Sequence, residues 1–108
     1  MDSLPEKVKG LLPLLGERIQ VARKRRRYSQ QKLADLACIS RETLRRLEAG
    51  NSKVSLGTLL AVLWALQLED DLLSVADPNS DTLGAELESF LPKRVHQKGK
   101  PEEDAYDF

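Results

Sequence analysis

Residues 29–50 read Ser29-Gln-Gln-Lys-Leu-Ala-Asp-Leu-Ala-Cys-Ile-Ser-Arg-Glu-Thr-Leu-Arg-Arg-Leu-Glu-Ala-Gly50. Ser29 and Ser40 each stand just before a short run with helical spacing of its apolar residues. A serine there accepts a hydrogen bond from the N–H groups that a first helical turn leaves free. The first run, to Ala37, places Leu33, Ala34 and Ala37 on one face. The second, Arg41 to about Ala49, turns Leu44 and Leu47 inward and leaves Arg41, Glu42, Arg45 and Arg46 on the opposite side. Gly50, a residue that tolerates positive φ, stops it.

Outward from this core the chain continues as helices, because no stretch shows the period-two alternation of a half-buried strand. Upstream, Pro13 suits the first turn of a helix to about Arg26, with Leu15, Ile19 and Ala22 inward, and the opening dozen residues are expected to form a loose arm. Downstream, Ser55 caps a fourth helix to Leu66 or Gln67, with a stripe of Leu56, Leu59, Leu60 and Leu63. A fifth, Glu69 to Val75, opens with three acids that suit the positive end of its dipole. After Asp77-Pro78-Asn79, a sixth segment from Ser80 or Asp81 to Pro92 spaces Leu83, Leu87 and Phe90 by four and three, with Gly84 weakening it. Residues 93–108 hold too little apolar surface to offset ordering, which predicts a disordered tail.

Composition narrows the function. The net charge is zero, yet residues 1–54 carry thirteen Lys and Arg against six Asp and Glu, and residues 55–108 carry four against eleven. Such asymmetry points to a basic binding face and an acidic remainder. The single cysteine, Cys38, excludes an internal disulfide and argues against a structural zinc site, and His96 is the only histidine. No cofactor is expected. Nothing assembles a nucleophile, a base and an anion-stabilising group, so an enzyme is not expected either. The acidic N-terminus does not read as a signal peptide, and the longest apolar run, Leu59 to Leu66, is too short to span a bilayer, which predicts a cytoplasmic, nucleoid-associated protein without membrane contact.

Two capped helices at a tight turn, with small Ala34 where they approach closely, form a helix-turn-helix. Arg23, Ser29-Gln30, Leu33-Ala34, Ile39-Ser40, Leu44, Leu47-Glu48, Gly50, Ser55-Leu56, Leu59-Leu60 and Ala65-Leu66 together resemble the XRE family, to which the phage lambda Cro and repressor DNA-binding domains belong. The resemblance covers roughly Leu15 to Val75 and implies an all-α, five-helix lambda-repressor-like domain, here with an extra C-terminal amphipathic helix. Residues 1–12 are then an arm, 13–76 the DNA-binding domain, 77–92 a dimer or partner segment and 93–108 the tail. Arg27 and Cys38 stand where the family usually has glycine, and a left-handed conformation at a non-glycine residue costs roughly 1 kcal/mol.

A helix docked by one face and carrying arginines on the other fits the major groove, where arginine can donate two hydrogen bonds to guanine. The resemblance places base readout on Arg41, Glu42 and Arg46, with Glu42 either accepting from a cytosine amine or orienting Arg46. Arg45, at the edge of that face, is expected on phosphate. Gln30 resembles the family's phosphate-contacting glutamine at a helix N-terminus, and Asn51, Ser52 and Lys53 are expected on the backbone as well. Arg23 is expected to turn inward and pair with Glu48, a pairing typical of the family. The rest of the run Arg23 to Arg27 does not share one face and divides between phosphate contact and solubility.

Trp64 stands where the family usually has an exposed polar residue, so it calls for a cover. Leu83, Leu87 and Phe90 either fold back over it or pair two subunits, and a homodimer matches a palindromic operator with half-sites about one helical turn apart. Glu69, Asp70, Asp71, Ala76-Asp77-Pro78, Asp81, Leu83-Gly84, Leu87 and Leu91-Pro92-Lys93-Arg94-Val95 resemble the C-terminal half of HipB-type antitoxins, which repress their own operon and neutralise a HipA-type kinase. Tyr106 and Phe108, aromatics among acids, are candidates for such a partner. A free-standing or phage-type regulator, or a helix-turn-helix that grips a protein, are the alternatives.

Overall fold

The computed structural model describes residues 3–91, and these form six α-helices: α1 (Glu6–Arg25), α2 (Gln30–Ala37), α3 (Arg41–Glu48), α4 (Leu56–Ala65), α5 (Glu69–Leu73) and α6 (Thr82–Ser89). Among the described residues there is no strand. The chain divides into two units, Met1–Val75 and Ala76–Phe108.

Serine caps set the helix starts in the first unit. Ser29 Oγ accepts from the Lys32 N–H at 3.0 Å, Ser40 Oγ from Thr43 at 3.0 Å and Ser55 Oγ from Thr58 at 3.1 Å. Each cap contributes about 1 kcal/mol over alanine. Left-handed residues redirect the chain between helices: Arg27 (φ 58°), Cys38 (φ 60°), Gly50 (φ 82°), Gln67 (φ 64°) and Ala76 (φ 57°). Arg27 and Cys38 thus occupy the glycine-favouring positions anticipated for them.

The core joins Ile19 of α1, Leu33, Ala34 and Ala37 of α2, Leu44 and Leu47 of α3, Val62 of α4, and Leu66. Tyr28, Ile39, Val54, Leu59 and Leu68 close its edges. At Ala34, which is wholly buried, α2 can approach α3 and α4 closely.

Three expectations need correction. From Glu6 onward the supposed arm is helix, with Pro13 inside α1. Proline there forfeits the bond to the carbonyl four residues back and its ring crowds that carbonyl, a local cost that the rest of α1 carries. The backbone there packs on Gly50, where an added Cβ would stand 2.7 Å from Pro13 N and 2.8 Å from Leu12 C. Leu15 is exposed, and the inward residues of α1 are Gly16, Ile19 and Arg23. In α4 the buried stripe is Val62 and Leu63 with half-buried Leu59, whereas Leu56 and Leu60 are exposed.

In the second unit, Asp81 caps α6 by accepting from the Gly84 N–H at 2.8 Å. A Cβ at Gly84 would lie 2.7 Å from the Asp81 carboxyl carbon, so the glycine makes room for the cap.

Candidate nucleic-acid interface

The rear of α3 is fixed by packing and by one ion pair. Leu44 and Leu47 are buried, and the Arg23 Nε donates to Glu48 Oε2 at 2.7 Å while Nη2 reaches Oε1 at 3.2 Å. Arg23 Nη1 also donates to the Tyr28 carbonyl at 2.9 Å. These bonds meet the need of a buried guanidinium for several acceptors. Gly16 lets α1 approach, since a Cβ there would press on the Glu48 carbonyl oxygen and stand 2.8 Å from that of Leu47.

Held this way, α3 turns Arg41, Glu42, Arg45 and Arg46 to solvent, as their spacing anticipated. Glu42 links two of the cations: Arg45 Nη2 donates to Oε2 at 2.5 Å and Nε to Oε1 at 2.9 Å, and Arg46 Nε stands 3.3 Å from Oε2. The Arg45 hydrogen bond, aided by the charges of both arginines, holds the Glu42 carboxyl below its ordinary pKa, and that bond raises the Arg45 guanidinium above its own. The three guanidinium groups are planar donors able to reach base edges or phosphate oxygens, and the Glu42 carboxylate engages two of them.

Arg41 is free of that clamp and lines a shallow depression of about 590 Å³ with Gln20, Arg23, Lys24, Ser29, Gln30 and Gln31. Every lining residue is neutral or cationic. The N-terminal turn of α2, whose first N–H groups have no helical partner, opens there, which suits an anion. Gln30 behaves differently from its simple reading: its Nε2 donates to Glu48 Oε1 at 3.1 Å, so the side-chain amide extends the Arg23–Glu48 pair. Its backbone remains at the α2 N-terminus.

Gln20 has no place in the sequence reading, although its spacing of four from Lys24 sets the two on one face of α1. Of the basic run, Arg23 is buried, Lys24 lines the depression, and Arg26 Nη1 donates to the Ala22 carbonyl at 2.8 Å. After α3, Asn51 N–H donates to the Arg46 carbonyl at 3.0 Å, and Asn51 Oδ1 accepts from Lys53 N–H at 2.7 Å. This turn presents exposed Asn51, Ser52 and Lys53.

Of the second surface, Trp64 is 60% exposed in the first unit, and in the second Leu83, Leu87 and Phe90 are each exposed too. Tyr106 and Phe108 lie outside the described residues. Cys38 is exposed in its turn. Among the described residues no group of three His, Cys, Asp or Glu is placed to hold a metal, and no helix is long and apolar enough to cross a membrane.

A helix-turn-helix family model matches residues 19–73, just over half of the chain, from Ile19 in α1 to Leu73 at the end of α5. No curated protein matches.

Proposed function

Because the chain belongs to the helix-turn-helix family, of the XRE type, and is a regulator that binds double-stranded DNA, we propose that it is a sequence-specific transcriptional repressor reading its operator through α3. The observation that carries this reading is the outward cationic side of a helix whose other side is locked by Leu44, Leu47 and the Arg23–Glu48 pair. In it, Arg41 and Arg46 donate to bases in the major groove, and Glu42 tunes what Arg46 can reach. Arg45, Asn51, Ser52, Lys53 and the α2 N-terminus at Gln30 hold phosphates and set the register. A dimer supplies two such helices to a palindromic operator.

The finer role is that of a HipB-like antitoxin, which represses its own operon and neutralises a HipA-type kinase. Its support is the residue pattern from Glu69 to Val95. A regulator without a toxin keeps the same DNA chemistry and differs only in lacking that partner.

Fluorescence anisotropy with duplexes from the chain's own upstream region tests the reading. Binding should fall with salt at a log–log slope of about −0.9 per phosphate contact, and Arg41→Ala should remove the preference for one duplex. A salt-insensitive interaction, or equal affinity for every duplex, would refute sequence-specific recognition. Co-purification with the product of an adjacent kinase gene separates the antitoxin from the free-standing regulator.

A further inference from the structure

α4 has two apolar sides. Val62 and Leu63 face the core, and Gly57, Leu60 and Trp64 face outward, where with Glu69, Leu73 and half-buried Ala61 they line a groove of about 460 Å³. We propose that a second copy of this chain fills that groove: the two α4 helices lie antiparallel about a two-fold axis, and Trp64 of each sits in the notch above Gly57 of the other. This deepens the dimer in the repressor reading by naming its surface and register.

Spacing supplies the first argument. Gly57, Leu60, Ala61 and Trp64 follow i, i+3, i+4 and i+7 on one side of α4. A two-fold axis between Leu60 and Ala61 brings position 57 opposite 64 and 60 opposite 61, so the largest side chain meets the smallest. Two-fold contacts require such self-complementarity.

Gly57 supplies the second. A glycine inside a helix lowers its stability relative to alanine. Gly16 repays that by admitting a neighbouring backbone, but a Cβ at Gly57 would meet nothing nearer than Ser55 Oγ, at 3.9 Å. The fold of the single chain does not use the missing side chain; a tryptophan from outside does.

Charge and area agree. The antiparallel arrangement sets the positive N-terminal end of one α4 near Glu69 on the rim of the other groove. Leu56, Leu60, Trp64, Leu73 and Val75 are all exposed. Together they offer on the order of 500 Å² per chain, about 150 Å² of it from tryptophan, against the ~800 Å² per partner of a standard interface. That is the size of a weak, reversible interface.

Sedimentation velocity on the full chain, with emission from Trp64, its only tryptophan, tests the proposal. Wild type should be a dimer at micromolar concentration, and its emission should move to the red on dilution. Trp64→Ala and Gly57→Leu should each weaken association at least tenfold. At concentrations low enough for both to be monomeric, Gly57→Leu should melt no lower than wild type, because the new side chain enters open space in the monomer, and its emission should stay red at concentrations where the wild type is dimeric. A monomeric wild type, or a Gly57→Leu chain that still dimerises as tightly, overturns the proposal. So does monomerisation by joint Leu83→Ser, Leu87→Ser and Phe90→Ser with Trp64→Ala still dimeric, which moves the interface to α6. Monomeric variants should still bind a half-site duplex in a salt-dependent way. A dimeric wild type that binds no DNA counts against the repressor reading and leaves this one standing.

Discussion

Arg23 and Glu48 meet across 25 residues with side chains only 8% and 5% exposed, so the last turn of α3 is tied to α1 by a desolvated ion pair. Removing Arg23 leaves the Glu48 carboxylate buried without its counter-charge, with only the Gln30 amide donating to it. Arg23→Ala should therefore cost about 3–5 kcal/mol, read as a lower urea midpoint at unchanged m-value. A loss within error of zero would mean that water satisfies Glu48 unaided.

Arg41→Ala should behave in the opposite way. Its side chain is exposed and outside the Glu42 clamp, so the melting temperature should stay put. Loss of a bidentate contact to a base should weaken operator binding by about 1–3 kcal/mol while binding to random duplex falls less. Comparable melting losses for Arg23→Ala and Arg41→Ala contradict the division of labour between inner and outer arginines.

Glu42 has a folded-state pKa below its unfolded value, so its contribution is fully present near neutral pH and is lost as pH falls through the depressed pKa. Following the carboxyl carbon by NMR, Arg45→Ala should raise the titration midpoint, and Arg46→Ala should raise it less. Identical midpoints in all three proteins would show that the clamp does not persist in solution. At neutral pH, Glu42→Gln should lower the melting temperature slightly and strengthen binding to random duplex, because Arg45 and Arg46 are released to phosphates.

Two glycines of α1 make a paired test. Gly16→Ala should destabilise by about 1–3 kcal/mol through overpacking against the Glu48 and Leu47 carbonyls. Gly10→Ala, with nothing within 4 Å of the new Cβ, should stabilise by about 0.5–1 kcal/mol. Thermal melts of both variants would expose a wrong placement of α1 if the signs came out reversed.

Cys38 and Arg27 sit at φ of 60° and 58°. Cys38→Gly and Arg27→Gly should each gain up to about 1 kcal/mol, less the added freedom of the unfolded chain. A loss at either site in chemical denaturation would show that the side chain makes a compensating contact.

Much of this was legible in the residues. Ser29, Ser40 and Ser55 announce three helix starts because a hydroxyl before a helical run has one favoured use, and all three accept the hydrogen bonds assigned to them. Arg23 and Glu48 pair as the resemblance implied. α4 was harder: with leucine on several sides, its periodicity cannot choose a face, and the partners that decide between Leu60 and Val62 come from elsewhere in the chain. Pro13 misled because a proline, though it costs a hydrogen bond and crowds the carbonyl four residues back, does not end a helix whose neighbouring turns are held in place. The inward amide of Gln30 had no local signal, since its acceptor lies 18 positions away.

The separation of the two sides of α3 has an evolutionary consequence. Leu44, Leu47 and Glu48 fasten it, while Arg41, Glu42, Arg45 and Arg46 take no part in the core. Under the proposed readout, descendants of this chain can exchange the exposed arginines and acquire new targets at little cost in stability, so regulatory specificity can drift quickly on a scaffold that hardly changes.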